Sequence, residues 1–511
     1  MKNILDIVKF DLDDKEVVGL SDELKVQYIL KKFNETKKSQ ILVTNSLYEA
    51  NLFYRRFKSY TDDVMLFPMD DFLTSEALAI SPELKLTRLN VLNESYNKES
   101  KIVITNLMGY LRFLPNSDFY YKNFIKLKVN SDYNQKDLIN NLYNIGYIKE
   151  SIVTKTGDMA TRGYVIDIFS TQYNDPVRIE FWGDTIDSIR IFDINSQRTI
   201  RSIDEFIIYP NTESISKDGL LIKHRDIFKE NISNIVNYFD NPNIYINNVD
   251  QLKVSYELLL EEIFNYCLSE DLDTKTKFMF NLEDLNYETI YFYDFNQKLN
   301  LKLDYNVKMI KNFPKEIEKI NIELNKYLKN NKKVILSFKN RYKANNFIDI
   351  SENKNLFFTS IDELLDEKIN VVVSPINEGF EVNNVVIITE NELFNNKFYD
   401  NNLVKYKNSL KYGTKIRDIN KLEVGDYIVH QKHGIGKYCG LKTLTKNGLR
   451  KDYLMLEYKG GDKLYIPVEK IDTICKYSTK DGLVPKLNKL GGTEWDKTKI
   501  KARKSAQDLA K

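Results

Sequence analysis

The hydrophobic period of this chain changes twice along its length, and that change constrains the fold more than any single motif. Short apolar runs, Gln40-Ile41-Leu42-Val43, Val64-Met65-Leu66-Phe67 and Ile102-Val103-Ile104, open the sequence with stretches long enough for helices between them. Runs of this kind suit strands covered on both faces, so they predict an α/β layer with a parallel sheet. From about Lys126 to Tyr209 apolar and polar residues alternate, as in Tyr164-Val165-Ile166-Asp167-Ile168-Phe169 and Val177-Arg178-Ile179-Glu180-Phe181-Trp182. A period of two predicts half-exposed, antiparallel strands. Residues 210 to about 300 return to the first texture, with Ile244-Tyr245-Ile246 and Thr289-Ile290-Tyr291-Phe292 flanking a helix around Leu252 to Leu268. They are expected to rejoin the first sheet, which makes the alternating segment an insertion.

A helix with Pro314 near its first turn then carries Phe313, Ile317, Ile320, Leu324 and Leu328 at the spacing of one buried face. Val334-Ile335-Leu336, Leu356-Phe357-Phe358, Val371-Val372-Val373 and Val385-Val386-Ile387-Ile388 follow, and predict a second, smaller α/β unit. The stretch Asn395 to Lys415 has few core-building residues and reads as a linker. Beyond it Gly425, Gly434, Gly436, Gly440 and Gly460-Gly461-Asp462 punctuate short strands such as Tyr427-Ile428-Val429 and Tyr453 to Tyr458, the pattern of a small, strongly bent β-barrel. A basic helix that Thr493 would cap closes the chain. At 511 residues the chain exceeds one core of about 150 residues several-fold, so it is multidomain.

The balance of charge is uneven. Residues 411–511 hold 23 Lys+Arg and 12 Asp+Glu, leaving 52 against 61 for residues 1–410, or +11 after −9. A mildly acidic body does not build the field that a long phosphate-binding surface needs, so protein partners are expected first and duplex DNA only weakly or not at all. No signal peptide or membrane span is legible, and a cytoplasmic protein is expected. The three cysteines, Cys267, Cys439 and Cys475, lack pair spacing and are expected to be buried thiols.

Little in the sequence resembles catalytic chemistry. Val17-Val18-Gly19-Leu20-Ser21-Asp22-Glu23-Leu24-Lys25 turns a strand into a helix where a nucleotide-binding domain places its phosphate loop. Such a loop needs several glycines, then Lys and Ser or Thr, whereas one glycine and two acids stand here. No bound cofactor and no metal are expected; His430 and His433 beside Cys439 lack the spacing of a zinc site, and His224 has no triad partner in view.

Two features suggest docking instead. Strand alternation puts Arg178 and Trp182 on one face with Glu180 between them, and with Arg162 this is the composition of an interaction hot spot. The alternative is a core-facing tryptophan and solvated arginines. In the barrel, Lys437 to Thr445 reads as a glycine-interrupted strand whose backbone edge stays free to pair with a partner strand, Leu444 projecting as an anchor, unless Leu444 caps its own barrel.

The run Val424 to His430, His433-Gly434-Ile435-Gly436, Asp452-Tyr453-Leu454 and Gly461 to Val468 resembles the RNA polymerase-interacting domain of the bacterial transcription-repair coupling factor family, a module shared with CarD-type regulators. Pro485-Lys486-Leu487-Asn488-Lys489-Leu490-Gly491-Gly492 with Trp495 is similar to that family's junction between polymerase-binding domain and motor. Arg162 to Phe169, Arg178 to Asp184, Ile186 to Arg190 and Ser196-Gln197-Arg198-Thr199 resemble its UvrB-homology module. The resemblance is strong at residues 150–200 and 418–511 and weak at 300–400.

The resemblance implies a degenerate RecA-like, UvrB-like α/β domain in two halves (1–125 and 210–302) with an inserted UvrA-binding α+β domain (126–209). It implies next a small α/β domain of unknown role (303–396), a linker (397–417), an SH3/Tudor-like polymerase-binding β-barrel (418–478) and a helical lead (479–511) into a translocase motor beyond Lys511. UvrA would be met by Arg162, Arg178, Phe181 and Trp182, the last usually Phe in the family. The polymerase β subunit would be met by Lys437, Tyr438, Leu441, Thr443, Leu444 and Thr445. ATP, Mg and double-stranded DNA would belong to the motor. The sequence departs from UvrB itself in lacking the phosphate loop and any tyrosine-rich hairpin around Phe67 to Pro82. A UvrB-type helicase and a CarD-type DNA-binding regulator are the rival readings; the first lacks its loop, and the second leaves residues 1–410 without a role.

Overall fold

The computed structural model describes residues 4–71, 81–194, 196–213, 215, 232–269, 271–275, 277–294, 305, 307–395, 414–415, 422, 424–430, 433–446, 449–467, 474–476 and 485–490. They fall into two units, Met1–Phe398 and Tyr399–Lys511.

The first unit starts as the apolar runs predict. Strands β1 (Glu16–Val18), β2 (Gln40–Thr44), β3 (Val64–Phe67) and β4 (Ile102–Asn106) alternate with helices α1 (Asp22–Thr36), α2 (Leu47–Lys58) and α3 (Pro82–Glu94). Both β2 and β4 are buried along their whole length, which is why neither shows a polar face. Ser21 and Ser46 cap α1 and α2 through their hydroxyls.

The alternating segment leaves this layer at β5 (Ile125–Lys128), passes through α4 (Gln135–Asn144), and builds β6 (Ile148–Lys149), β7 (Asp158–Arg162), β8 (Val165–Ile168), β9 (Val177–Trp182), β10 (Thr185–Phe192) and β11 (Thr199–Ile203). These six form a sheet in the order β11-β10-β9-β8-β7-β6, antiparallel except for the short β6–β7 pair. The last strand, β12 (Glu205–Ile208), returns antiparallel to β5 and closes the insertion at its root.

The chain then rejoins the first layer. Strand β13 (Asn243–Ile246), helix α5 (Val249–Ser269) and strand β14 (Thr289–Tyr293) complete a parallel sheet ordered β1-β14-β13-β2-β4-β3. One contiguous core runs through this sheet and the insertion, from Ile41 and Val103 to Ile168 and Ile179.

A separate core serves the second α/β layer. Its elements are β15 (Lys308–Met309), α6 (Ile317–Lys329), β16 (Lys333–Phe338), α7 (Arg341–Ser351), β17 (Leu356–Phe358), β18 (Ile369–Val373), β19 (Phe380–Val382) and β20 (Val385–Thr389). The sheet order is β15-β19-β20-β16-β18-β17, with a parallel centre and an antiparallel edge. Phe313, Ile320 and Leu324 are buried as their spacing predicts, but Pro314 precedes the capping residue Glu316 and lies outside the helix.

The second unit is a six-stranded antiparallel sheet of β21 (Thr414–Lys415), β22 (Tyr427–His430), β23 (Gly434–Lys446), β24 (Leu449–Glu457), β25 (Lys463–Pro467) and β26 (Ile474–Lys476), ordered β21-β26-β22-β23-β24-β25. The bend expected from its glycines is visible between Tyr438 and Leu441, where Gly440 takes a φ of +103° and the β23–β24 register slips. Residues 485–490 join this sheet: Asn488 N–H donates to the Ile435 carbonyl at 3.0 Å, its carbonyl accepts from Lys459 at 2.9 Å, and its side-chain oxygen accepts from Ile435 at 2.7 Å. Leu490 packs against the core of Ile428, Leu454 and Ile466. The closing helix expected after Thr493 and the linker residues 397–413 lie outside the described residues. Cys267 is buried as expected, whereas Cys439 is only half-buried, its Sγ 3.6 Å from the Lys437 carbonyl and from Glu457.

Candidate docking surfaces

Strand β9 alternates buried and exposed residues from Val177 to Trp182, so Arg178, Glu180 and Trp182 share the outer face. Trp182 is 83% exposed. Phe181, expected among the contacts, instead points into the core at 5% exposure, because the same alternation that turns Trp182 outward turns its neighbour in.

Two hairpin tips stand side by side at this end of the sheet. Gly163-Tyr164 joins β7 to β8, and Gly183-Asp184 joins β9 to β10. Both glycines have positive φ, which a tight two-residue turn needs. The Phe181 N–H donates to the Tyr164 carbonyl at 2.9 Å, so the tips are hydrogen-bonded neighbours. The start of α4 buckles both from below: Gln135 donates to the Gly163 carbonyl at 2.7 Å, Tyr133 N–H to the Asp184 carbonyl at 2.7 Å, and Asn134 to the Asp184 carboxylate at 3.2 Å.

The two arginines differ in their surroundings. Arg162 is exposed, with one long contact to the Ser151 carbonyl at 3.5 Å. Arg178 spends its guanidinium fork on buried Asp167, at 2.7 and 2.9 Å, and lies over the Phe192 ring at 4.6 Å. The Asp167 hydrogen bond holds Arg178 above its ordinary pKa. Next to it Arg190 pairs with Glu180, which also accepts from Ser188. Asp167 carried no signal of its own in the sequence, since its partner is set by the β8–β9 register that places Asp167 opposite Arg178.

The second candidate is the long strand β23. On one side residues 434–437 pair with β22, and on the other residues 437–446 pair with β24. From Leu441 to Lys446 the described strands therefore cover one backbone edge only. Lys437 and Leu441 are exposed, Leu441 at 52%, while Tyr438 is buried at 4% in the core of the unit and cannot reach a partner. The side chains of Thr443, Leu444 and Thr445 lie outside the described residues. The His430 and His433 rings stand 4.7 Å apart, His430 Nδ1 accepting from the His433 N–H. Among the described residues no three His, Cys, Asp or Glu are grouped to hold a metal.

The turn from β1 into α1, where a phosphate loop would lie, is filled by ion pairs. Lys25, 2% exposed, places its Nζ 2.8 Å from Asp294 and 3.6 Å from Asp22. Glu23 is not turned toward solvent as an acid repelling phosphate would be; it is fully buried, accepts from Tyr60, and lies 3.4 Å from Arg56. Burial pushes the Glu23 carboxyl above its usual range, against the opposing pull of Arg56. Arg56 also binds Glu378 of the second α/β layer at 2.8 Å.

A family model described as the UvrB interaction domain matches residues 125–213, from the first residue of β5 to just past β12. One described as the CarD-like/TRCF RID domain matches residues 422–478. The transcription-repair-coupling factor of Bacillus subtilis is 27% identical over 577 aligned positions, covering 100% of this chain and 49% of the relative. Those of Staphylococcus aureus and Staphylococcus epidermidis are 28% identical, each covering 97% of this chain and 48% of the relative. Its relatives are transcription-repair-coupling factors. The chain spans about half the length of the curated transcription-repair-coupling factors it matches. Both candidate surfaces lie inside the two matched segments, and the likeness to transcription-repair-coupling factors runs across the α/β layers between them. Among the described residues no helix is long and apolar enough to cross a membrane.

Proposed function

We propose that this chain is an adaptor of transcription-coupled nucleotide excision repair, with UvrA docking on the 126–209 insertion and the RNA polymerase β subunit pairing with the free edge of β23. The observation that carries the reading is Trp182, an aromatic 83% exposed beside a tip hydrogen-bonded to the start of α4 and to the neighbouring hairpin. A large apolar side chain held rigidly in water is costly to the free protein and gains most when a partner covers it. The one-sided pairing of residues 441–446 supports the second half of the reading, because free N–H and C=O groups along an edge are the template for strand addition.

The intact protein, in this proposal, moves on double-stranded DNA with an ATP- and Mg-dependent motor and releases a stalled polymerase, while the residues described above supply attachment. Lys25 already paired with Asp294 is poorly placed to receive a triphosphate, which supports assigning nucleotide chemistry elsewhere. A further domain is expected to mask the UvrA surface until polymerase is engaged, so this chain by itself should bind UvrA without that trigger.

Pull-down of purified UvrA by the 511-residue chain tests the reading. Trp182→Ala and Arg162→Ala should each weaken capture by about 1–3 kcal/mol, the range of an interface hot spot. Unchanged capture in both variants would overturn the assignment of the insertion as the docking surface.

A further inference from the structure

The sheet of the second unit has two faces, and only one of them is a core. In an antiparallel ladder, residues directly opposite each other point to the same side. Leu456 lies opposite Tyr438 and Leu464, and Leu454 opposite Ile466; these side chains build the core of the unit. The residues between them turn the other way. Lys442 stands opposite Tyr453, Met455 opposite Tyr465, and Glu457 opposite both Lys437 and Lys463. Together they form a second face across β23, β24 and β25, on which the three lysines are exposed and the two tyrosines and Met455 are half-buried.

This face mixes rings with positive charge. Tyr453 and Tyr465 are diagonal neighbours across β24 and β25, a placement that sets them about 7–8 Å apart. The Lys442 ammonium reaches over from β23 to within 5.9 Å of the Tyr465 ring centroid. Three lysines stand against the single carboxylate of Glu457, in a segment that holds 23 Lys+Arg and 12 Asp+Glu over residues 411–511.

We infer that this face is a platform for single-stranded RNA, with bases stacking on Tyr453 and Tyr465 and phosphates met by Lys437, Lys442 and Lys463. The lysines alone would suit any acidic partner. The rings set among them favour one that alternates planar apolar groups with negative charges, as a single strand does, and stacking on a ring tolerates any base because every base has a π-face. A duplex keeps its bases covered by one another and could use the lysines only. The choice of RNA over DNA rests on the polymerase reading given above: β23 lends its edge from Leu441 to Lys446 to that pairing and its face at Lys437 and Lys442 to this one, and the single strand that a polymerase releases is its transcript. The tyrosine hydroxyls also suit the 2′-OH that tells RNA from DNA.

The test is fluorescence anisotropy of the full chain with a labelled single-stranded RNA of about 12 nucleotides and mixed sequence, without polymerase, and with circular dichroism of each variant as the control for folding. Tyr453→Ala and Tyr465→Ala should each weaken binding about fivefold or more. Lys442→Gln and Lys463→Gln should each flatten the slope of log K against log salt by about 0.7, the share of one phosphate contact on a single strand. The DNA strand of the same sequence and the RNA duplex of the same length should both bind more weakly. Unchanged affinity in both tyrosine variants would overturn the platform, as would a duplex bound as tightly as the single strand. If the tyrosine variants fail to fold, the lysine variants decide, and an unchanged salt slope in both refutes the inference. DNA bound as tightly as RNA would overturn the assignment to a transcript. Capture of the polymerase β subunit by a chain that binds no RNA removes the platform and leaves the polymerase reading standing; RNA binding without that capture does the reverse.

Discussion

Replacing Glu213 by glutamine should cost the first unit about 3 kcal/mol or more of stability. Glu213 lies just past the insertion and is 5% exposed at its side chain, between Arg88, fully buried, and Arg112, 7% exposed. Its two oxygens lie 2.6 Å from Arg88 Nε, 2.7 Å from Arg112 Nε and 2.6 Å from Arg112 Nη2. Burial alone would raise the carboxyl; Arg112 and Arg88 outweigh it and bring it from 4.5 down to about 2. A depression of that size corresponds to about 3 kcal/mol of differential interaction, in line with the 3–5 kcal/mol typical of breaking a buried pair. Glutamine keeps the shape and loses the charge, so two buried guanidinium groups lose the carboxylate they share. Because the folded carboxyl lies below its unfolded value, its contribution is present above pH 4.5 and lost as pH falls toward 2. Wild type should therefore lose stability through that window more steeply than Glu213→Gln. Urea unfolding followed by far-UV circular dichroism, repeated across that window, measures both effects. A loss below about 1 kcal/mol at neutral pH, or parallel acid curves for the two proteins, would show that the triad does not clamp the root of the insertion as argued.

Other outcomes follow from the same kind of reasoning. Glu49 accepts from the Asn45 N–H at 2.9 Å and from the Asn247 amide, and burial raises its pKa to about 7. A carboxyl raised in the folded state costs stability as pH rises from 4.5 through 7, so Glu49→Gln should stabilise the chain by about 1–3 kcal/mol at pH 8 and little at pH 4; a destabilised variant at pH 8 would contradict this. Glu378→Gln should loosen the second α/β layer from the first, read as faster amide exchange across residues 374–379, since Arg56 would lose the carboxylate it reaches in that layer and keep Glu23 at 3.4 Å and Asp22 at 4.0 Å in its own; unchanged protection would mean that this ion pair does not hold the layers. Leu444→Arg should abolish binding to the polymerase β subunit with the second unit still folded, because a charge would enter an apolar contact; retained binding by the folded variant would return Leu444 to packing within its own unit. Calorimetry with ATP and Mg should give no saturable heat, and a saturable isotherm would refute the reading of the β1–α1 turn as closed by ion pairs.

Much of the architecture is legible in local pattern. Continuous apolar runs at Ile41, Leu66 and Val103 identify strands covered on both faces, and the alternation from Val177 to Trp182 identifies one with a wet side. Period is a property of five or six neighbouring residues, so it survives in the sequence whatever the rest of the chain does. The turn glycines at 425, 440, 460 and 461 are legible for the same reason: their positive φ is required where they stand. Pro314 shows the limit of that logic, since a residue suited to a first turn also suits the extended approach to a helix.

What the tertiary structure decided is which of two equivalent faces turns inward and which charge finds which. The resemblance implies Phe181, Trp182 and Tyr438 alike as contacts, yet Phe181 and Tyr438 are core and Trp182 is in water. Nothing next to Lys25 in the sequence points to Asp294, which lies 269 residues further on and arrives beside it through β14. Arg88 and Glu213 meet across 125 residues of chain, and Arg178 finds Asp167 only through the register of two strands. Such partners are chosen by desolvation and packing in the assembled fold, where a charge out of water must take whichever counter-charge the chain brings within reach, and no pattern of neighbouring residues encodes that choice.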